Sequence, residues 1–598
     1  MIFGSYGRYA DIDLSTMRVR DYQIPATWQD DHLGGRGIGA RILQEEITIP
    51  VEPLGEDNLL LFTTGPFQGT GIAGGSRNAV MGVSPVTGGV SDSFVGGYFP
   101  HELGKSGYDG LIIRGRADRP VYLVIRSRKV EIRDAADLWG MDTIKAEKTL
   151  RSRHPGARVA TIGIAGENGV SFACVINDHA RAAGRPGFGA VLGVKRLKAV
   201  VVVGDTTKPV FDAQNFNALS HEYSRFLMSI PGIQRRRKLG TAKCVLELNS
   251  LGILPTKNFR LGVFSGAERI SGEVMADTIL VRRDTCYGCP VACKRVVHTE
   301  YNGQPVDGGG PEYETLAALG SLCMIDDLSA LALANLKCNA YGIDTITTGS
   351  AIAAAMEATE RGLLSRSDGI EWGDSTRLLK LIDEIAHREG VGKLLAAGMR
   401  TLEREWGKEF VLHVKGQAVP MHDVRVKKGM GISYATSPRG ATHMEGLDDE
   451  DFIGVQSDPT PALGVTGTVA WCSWDRKPEL CTIYEDLMSF TNSLIICSFV
   501  SASLAVGEHY PYNHILELLY ALTGRRINSK EMLEIGRRNY SLLRELNAQI
   551  GFTTADDILP TRFSDPLPSG SCRGERITQL ELEEALASYR ATRGTTSP

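Results

Sequence analysis

Three cysteines lie within eight residues, in the order Cys286-Tyr-Gly-Cys289-Pro-Val-Ala-Cys293. Thiolates spaced by two and three residues in one tight loop suit three corners of a cubane iron–sulfur cluster, whose fourth ligand then comes from elsewhere in the chain. A zinc site is an alternative, but structural zinc sites usually pair two Cys-x-x-Cys knuckles and this chain has one. Plain core packing is the other alternative. The spacing favours an iron–sulfur cluster, with its fourth ligand open among the other eight of the eleven cysteines.

Glycine makes up 67 of 598 residues, about 11% against a usual share of about 7%. The excess lies in short stretches, which include residues 34–39, 74–78 and 184–190. Glycine lets backbone amides approach an anion closely, and arginine pairs with phosphate. The arginines within or beside these stretches are Arg36, Arg77, Arg181 and Arg185. The stretches are compatible with ordinary turns and with loops that hold a phosphate-bearing cofactor, and the pattern alone leaves both open.

Two kinds of sequence pattern divide the chain. Short β-rich runs at 58–63, 110–114, 121–125, 159–164, 170–176 and 197–203 predict strands. Longer helical patterns follow from about residue 212, including 213–228, 328–341, 376–387, 485–506 and 529–549. We therefore predict an α+β fold, with a β-rich domain at 1–208 and two mostly helical domains at 209–410 and 411–598.

Charge and hydropathy exclude some classes of protein. The chain has 66 basic and 70 acidic residues, and without a clustered basic surplus nucleic-acid binding is not expected. No apolar run approaches the ~18 residues that span a bilayer, and the N-terminus lacks the pattern of a secretion signal. We expect a cytoplasmic protein without a membrane span.

Taken together, these features resemble the tungsten-containing aldehyde ferredoxin oxidoreductase family, and the resemblance extends nearly from end to end. Besides the cysteine loop, the motifs that carry it are Leu33-Gly-Gly-Arg-Gly-Ile-Gly-Ala40, Arg181-Ala-Ala-Gly-Arg-Pro-Gly-Phe-Gly-Ala190, Gly310-Pro-Glu-Tyr-Glu314 and Tyr434-Ala-Thr-Ser-Pro-Arg-Gly440. The resemblance implies that the β-rich domain forms the base for a cofactor and that the two helical domains cover it.

The cofactors that the resemblance implies are a tungsten bis-molybdopterin, a magnesium ion that bridges the pterin phosphates, and a nearby [4Fe-4S] cluster. The glycine-rich stretches then become cofactor-binding segments. The residues assigned to this function are Arg36, Gly37, Gly74, Gly75, Ser76, Arg77, Asn78, Arg181, Ala182, Gly184 and Arg185.

Two further motifs, of the form Asp-x-x-Gly-Leu-(Asp/Cys), grip the two pterins in the family. They match Asn339-Ala-Tyr-Gly-Ile-Asp344 and Asn492-Ser-Leu-Ile-Ile-Cys497, with asparagine in place of both leading aspartates and Ile495 in place of glycine. The resemblance implies that Asn339, Asp344 and Asn492 bind the cofactor. It also implies that Cys497 is the fourth cluster ligand.

The family's chemistry depends on a glutamate and a histidine near tungsten, which fall on Glu314 and His443, with Glu312 as the alternate acid. A positioned acid and base are what proton removal at neutral pH demands. Without the resemblance, Glu314 would be an acid at a helix N-terminus and His443 a polar loop residue.

The implied function is oxidation of an aldehyde to a carboxylic acid, with electrons passing through the cluster to ferredoxin or to a partner iron–sulfur subunit. Two alternatives stay open: reduction of an aromatic acyl-CoA or a carboxylic acid on the same fold, and a pure electron-transfer subunit. The tungsten subunit of benzoyl-CoA reductase has a cysteine where this chain has Glu314, which favours the aldehyde reaction. The sequence is compatible with a homodimer or with a hetero-oligomer.

Overall fold

The structure, a computed structural model, describes residues 3–452, 469–501 and 511–594. Its N-terminal part contains two six-stranded sheets. The first consists of β1 (Arg8–Asp13), β2 (Arg18–Gln23), β3 (Leu60–Thr63), β4 (Arg77–Val83), β5 (Val90–Gly96) and β6 (Gly110–Arg114). The second consists of β7 (Val121–Arg126), β8 (Lys129–Asp134), β9 (Arg158–Thr161), β10 (Val175–Asn177), β11 (Arg181–Ala183) and β12 (Leu197–Val203).

Each sheet is mainly antiparallel with one parallel pair. The strand orders are β2-β1-β6-β3-β4-β5, in which β1 and β6 are parallel, and β11-β10-β9-β12-β7-β8, in which β12 and β7 are parallel. Short helices connect the strands: α1 (Ala26–His32), α2 (Gly35–Glu46), α3 (Phe99–Leu103), α4 (Thr143–Arg153), α5 (Ile164–Glu167) and α6 (Phe188–Val194).

Alternation along the strands explains why the two sheets pack face to face. On β7, Leu123 and Ile125 point into a core shared with Phe62 and Ile113 of the first sheet. The neighbouring Tyr122 and Val124 point to the opposite face, into a separate cluster that includes Leu150 of α4. Because successive side chains of a strand alternate between faces, each sheet is buried on both sides.

The rest of the described chain is mostly helical. Its helices are α7 (Ala213–Ser229), α8 (Pro231–Leu239), α9 (Cys244–Ser250), α10 (Gly272–Thr278), α11 (Tyr313–Leu319), α12 (Leu328–Tyr341), α13 (Thr345–Glu360), α14 (Ser375–His387), α15 (Gly392–Leu395), α16 (Met399–Trp406), α17 (Lys428–Thr436), α18 (Lys477–Leu494), α19 (Pro511–Thr523), α20 (Ser529–Ile550) and α21 (Gln579–Arg593). Two small sheets interrupt them, β13 (Leu280–Asp284) with β14 (Lys294–Tyr301) and β15 (Gln304–Gly309), and β16 (His413–Val414) with β17 (Gln417–Ala418).

The predicted fold class is confirmed: a β-rich N-terminal region precedes helical domains. The domain boundaries at 208 and 410 stay predictions. One predicted helix, 485–506, is wrong in its bounds, because α18 begins at Lys477 and ends at Leu494, where Ile495 adopts a left-handed conformation with φ of 52°. Residues 502–506 of that prediction lie outside the described residues.

Among the described residues, no single helix has the length and apolar composition of a membrane span. The segments Tyr313–Cys323 and Leu328–Tyr341 meet that criterion only as a pair, and they are bent by 119° relative to each other.

Candidate active site

A cavity of about 910 Å³ lies where strands β5 and β11 meet helices α8, α11, α13 and α18. The predicted site residues on its wall are Arg77, Arg181, Ala182, Asn339, Asp344, Glu314, His443, Cys286, Cys293 and Cys497. Residues far apart in the sequence therefore come together at one place.

The four predicted cluster cysteines lie near one another. Three lie on the loop between β13 and β14, and Cys497 follows the end of α18. Its backbone N–H donates a hydrogen bond of 3.0 Å to the carbonyl of Gly74. Gly96 leaves room for the loop, because a Cβ at that position would lie 2.8 Å from the sulfur of Cys286.

The electrostatics of these sulfurs suit a metal cluster. All four cysteines are free thiols. Burial raises the pKa of Cys289 to about 12, and the neighbouring sulfurs of Cys286 and Cys497 raise it too. Four thiolates in so buried a place would repel one another unless a cationic centre compensated them, which is what an iron–sulfur cluster supplies.

The arginines predicted to bind the cofactor differ in their surroundings. Arg77 donates to the sulfur of Cys497 at 3.7 Å and to the carbonyl of Phe94 at 3.3 Å. Arg181 pairs with Asp284 at 3.3 Å. Both line the cavity, so both stand beside the cluster cysteines.

Arg185 and Arg36 are not among the described residues that line the cavity. One nitrogen of Arg185, Nη2, donates to the carbonyls of Ala418 and Ala441, both at 2.7 Å. Arg36 is fully buried and pairs with Asp92 and Glu445. The Nη1 atom of each arginine has no hydrogen-bond partner among the described residues. The same is true of Oδ1 of the buried Asn78. An unpaired buried polar group costs about 1–3 kcal/mol, so these atoms fit a polar ligand that completes the site.

The glycine-rich stretches allow close contacts with neighbouring segments. A Cβ on Gly37, within α2, would lie 2.5 Å from Nδ2 of Asn539. Gly74 has φ of +74°, and its Cβ would meet Val500 at 2.3 Å. Gly75 would meet Ile72 at 2.7 Å. Such contacts require glycine for packing alone, so pterin binding by these segments stays a prediction.

Of the remaining predicted cofactor residues, Asp344 lines the cavity. Ser76 donates to the carbonyl of Gly97 at 2.6 Å, and the carbonyl of Gly184 accepts from Ser93 at 2.9 Å. Asp344 caps α13, where its carboxylate accepts from the backbone of Thr347 at 2.7 Å.

The two asparagines of the paired motifs are not equivalent. The side chain of Asn339 donates to the carbonyl of Asn335 at 2.9 Å, and Asn339 lines the cavity. Asn492 lies within α18 and is buried. Its backbone carbonyl oxygen would lie 2.7 Å from a Cβ on Gly35, so Asn492 packs against α2.

Glu314, His443 and His422 form one group on the cavity wall. Oε1 of Glu314 lies 3.6 Å from Nδ1 of His443 and 3.2 Å from Nε2 of His422. Its other oxygen, Oε2, accepts the backbone N–H of Met421 at 3.0 Å. The alternate acid, Glu312, instead pairs with Lys294 at 3.0 Å, so Glu314 is the acid that faces the histidines.

Burial and the neighbouring groups together set the charge states of this group. Burial lowers the pKa of His443 to about 4, although Glu314 opposes that shift. Burial alone would raise the pKa of Glu314, but His443, His422 and the Met421 amide lower it to about 2. Near neutral pH the site therefore holds a carboxylate beside a neutral imidazole, which can accept a proton and donate a hydrogen bond respectively.

Comparison with known proteins decides the family. The family profile "Aldehyde ferredoxin oxidoreductase, N-terminal domain" matches residues 9–204, and "Aldehyde ferredoxin oxidoreductase, domains 2 & 3" matches residues 218–597. The chain belongs to the aldehyde ferredoxin oxidoreductase family. It is 35% identical to the tungsten-containing aldehyde ferredoxin oxidoreductase of Pyrococcus furiosus, over 100% of this chain and 97% of that protein. The resemblance predicted from the motifs is thus confirmed.

Other members and neighbours of the aldehyde ferredoxin oxidoreductase family broaden the comparison. The chain is 31% identical to the WOR-like subunit of an aliphatic sulfonate oxidoreductase of Pyrococcus furiosus, over 98% of this chain and 93% of that protein. Its fold is similar to that of the active site complex BamBC of benzoyl coenzyme A reductase in complex with 1,5 dienoyl-CoA. That similarity has a TM-score of 0.84 at 24% identity, over 99% of this chain and 95% of the other.

Sequence reasoning missed His422. No motif singles it out, and it lies 21 residues before His443 in a segment without a regular period. The signal was a run of charged side chains between apolar residues, His422-Asp-Val-Arg-Val-Lys427, all of which are buried. Charged residues are seldom fully buried unless they are paired, so such a run near a predicted catalytic residue was a sign of a polar network.

Proposed function

We propose that this member of the aldehyde ferredoxin oxidoreductase family oxidises an aldehyde to a carboxylic acid and passes the electrons to ferredoxin or to a partner iron–sulfur subunit. The observation that carries the proposal is the meeting of Glu314 and His443 on a cavity whose wall also holds Cys286, Cys293 and Cys497. The relative in Pyrococcus furiosus, at 35% identity over the whole chain, supports the same reaction.

The residues present fit the family's cofactors. The four cysteines would hold a [4Fe-4S] cluster, and the unpaired atoms of Arg185 and Asn78 would meet polar groups of a tungsten bis-molybdopterin with its bridging magnesium. When bound, the tungsten–pterin group supplies the two-electron oxidant, and the cluster conducts electrons away.

Glu314 is ionised and can therefore accept a proton. Its pKa of about 2 keeps it ionised near neutral pH, and the N–H of Met421 holds one of its oxygens in place. Conversion of an aldehyde and water to a carboxylic acid releases two electrons and two protons, so a carboxylate beside the reacting carbon has a proton to take.

His443 is suited to orient the carbonyl of the aldehyde. As a neutral imidazole it presents one N–H donor, and a donor placed against the carbonyl oxygen stabilises the negative charge that develops there. The surrounding wall includes the buried Tyr313 and Tyr484, and the lower polarity of such surroundings strengthens that interaction.

Metal analysis of anaerobically purified protein is the first test. We expect about one tungsten and about four irons per chain, because the chain offers one bis-pterin site and one set of four cysteines. Iron without tungsten or molybdenum, after expression in a host that makes the cofactor, would instead support an electron-transfer subunit.

Activity separates the remaining alternatives. A panel of aliphatic and aromatic aldehydes is assayed with reduced-ferredoxin formation as the readout, beside a reductive assay with an aromatic acyl-CoA and with carboxylic acids. Aldehyde-dependent reduction of ferredoxin supports the proposal. A tungsten-loaded protein that reduces the acyl-CoA and oxidises no aldehyde would contradict it.

A further inference from the structure

Lys427 is a buried cation that contacts His422 on the side of the imidazole ring that faces away from Glu314. Its side chain has no exposed surface. Its ammonium nitrogen lies 2.8 Å from Nδ1 of His422 and 3.3 Å from Oδ1 of Asp448, and it also pairs with Glu450. The contacts with His422 and Asp448 are hydrogen bonds, and the contact with Glu450 is an ion pair. Asp448 and Glu450 therefore keep Lys427 charged despite its burial, by raising its pKa against the effect of desolvation.

The contact with Lys427 decides which nitrogen of His422 carries the proton. An ammonium group has no lone pair and can only donate, so Nδ1 of His422 must accept. A neutral imidazole has one N–H and one acceptor nitrogen. The proton therefore lies on Nε2, the nitrogen that is 3.2 Å from Oε1 of Glu314.

We propose that Lys427 is a positioning residue that holds His422 in the Nε2–H form, so that His422 presents this N–H to the carboxylate of Glu314. The kinetic part of this inference rests on the proposed function, in which Glu314 takes the proton. His422 then keeps its N–H towards Glu314 and stabilises the ionised state of that carboxylate. Lys427, behind it, touches neither the substrate nor the reacting atoms.

Glu314, His422 and His443 also have a spacing that suits a divalent metal. One ligand atom from each of Glu314, His422 and His443 lies within 4.8 Å of the others. A metal ligand must offer a lone pair, and the contact with Lys427 leaves His422 without one on the nitrogen that faces Glu314. The geometry therefore points to an acid–base group in place of a metal site.

Several other titratable groups lie near Lys427 and His422 and contribute to the pH dependence of this site. From α11 come Tyr313 and Glu314, from the segment after α17 come His443, Asp448 and Glu450, from α9 comes Cys244, and Arg185 and Tyr434 act on Glu314 from further away.

A matched pair of variants tests the position of the donor. In His422→Gln the side-chain amide reaches as far as Nε2 and offers an N–H to Glu314, whereas in His422→Asn it reaches only as far as Nδ1. Loss of a hydrogen bond to a charged group corresponds to about 10–100-fold in rate. We expect kcat to fall by that factor in the Asn variant, with KM within about threefold, and to fall less than about tenfold in the Gln variant.

The pH profile adds a readout that a purely structural defect would not move. Without its donor, the ionised form of Glu314 is less stable, so the acidic limb of the kcat profile should lie at higher pH in His422→Asn than in His422→Gln. Tungsten and iron contents and the circular dichroism spectrum serve as folding controls. Equal kcat values and equal acidic limbs in the two folded variants would overturn the proposal.

Zinc binding tests the proton position without any turnover, so it separates this inference from the proposed function. The anaerobic, cluster-loaded enzyme is titrated with Zn²⁺ and the bound zinc per chain is counted. We expect wild type to gain no zinc at this group and Lys427→Met, which frees the nitrogen, to gain one ion that is lost again on adding Glu314→Gln. If Lys427→Met does not fold, wild type and His422→Asn decide. A zinc ion held by wild type and lost in His422→Asn overturns the inference, and equally low zinc in both supports it.

Discussion

Gly342 and Ile495 occupy the same backbone position at the ends of two different helices. Each adopts the left-handed conformation just past the helix, with φ and ψ of 72° and 53° for Gly342 after α12 and 52° and 49° for Ile495 after α18. Each stands two residues before a side chain on the cavity wall, Asp344 in one case and Cys497 in the other. Glycine adopts this conformation at no steric cost, whereas a β-branched residue is strained by about 1–2 kcal/mol.

Ile495→Gly should destabilise the protein although it relieves backbone strain. Ile495 is fully buried and packs against α2, since a Cβ on Gly35 would lie 2.5 Å from its Cγ1. Removal of a buried isoleucine side chain costs about 2–5 kcal/mol, which exceeds the strain of about 1–2 kcal/mol. We expect a net loss of about 1–3 kcal/mol, measured as a lower midpoint in scanning calorimetry.

Gly342→Ala is the matched control for this prediction. It adds a Cβ at a left-handed position, 3.1 Å from the backbone nitrogen of Gly163, and removes no packing. The expected loss is about 1 kcal/mol or somewhat more. An Ile495→Gly variant more stable than wild type would mean that strain outweighs burial at this helix end.

Cys497→Ser should lower the iron content of the protein, because Cys497 is the proposed fourth cluster ligand and serine is a poor substitute for a thiolate. Cys244→Ser is the control, since Cys244 also lines the cavity and was open as a ligand on sequence spacing alone. We expect about four irons per chain in the control and fewer, with bleaching of the brown colour, in Cys497→Ser. Iron loss in Cys244→Ser alone would assign the ligand to Cys244.

Features coded by neighbouring residues could be predicted from the sequence. The helix predicted at 328–341 coincides with α12, because an apolar stretch with a capping Asp327 has a helical signal within its own span. The three-cysteine loop is likewise a local pattern. The family resemblance assigns Glu314, and the structure places it beside His443, 129 residues later in the chain.

Features that depend on tertiary contacts could not be predicted. The partners of Arg36 are Asp92 and Glu445, which lie 56 and 409 residues away, and no local pattern indicates such a pairing. The same holds for His422, whose function depends on Lys427 and Glu314 together. Side-chain protonation is set by burial and by neighbours in space, so a sequence motif alone does not reveal it.

Glu314→Gln should abolish most turnover and leave the cofactors in place. Glutamine keeps the shape of the side chain but accepts no proton, and loss of a general base lowers rates by about 10²–10⁴. Because the pKa of Glu314 is about 2, wild type should show no loss of kcat from this residue between pH 5 and 8. The measurement is kcat with a good aldehyde substrate, beside tungsten and iron contents.

Glu312→Gln is the control for that variant. Glu312 also lines the cavity, but it pairs with Lys294 and does not face the histidines. We expect its turnover to stay within about tenfold of wild type. Unchanged turnover in Glu314→Gln together with a large loss in Glu312→Gln would move the proton-accepting function to Glu312.

His443→Gln should make protein stability less sensitive to acid. Burial lowers the pKa of His443 to about 4 from a usual 6.5, so below pH 6.5 the unfolded chain takes a proton that the folded chain does not. Stability is therefore fully present above pH 6.5 and falls as the pH drops towards 4. Over the ~1.5 units from pH 6.5 to 5, at about 1.4 kcal/mol per unit, this amounts to about 2 kcal/mol.

Glutamine does not titrate, so the variant should lack that contribution while every other group titrates alike in the two proteins. Thermal unfolding is compared at pH 7 and pH 5 for wild type and His443→Gln under anaerobic conditions. The drop in midpoint between the two pH values should be smaller in the variant. Equal drops would show that His443 takes up its proton in the folded protein near its ordinary pKa, and the neutral imidazole that is proposed to orient the aldehyde carbonyl would then be an imidazolium at pH 5.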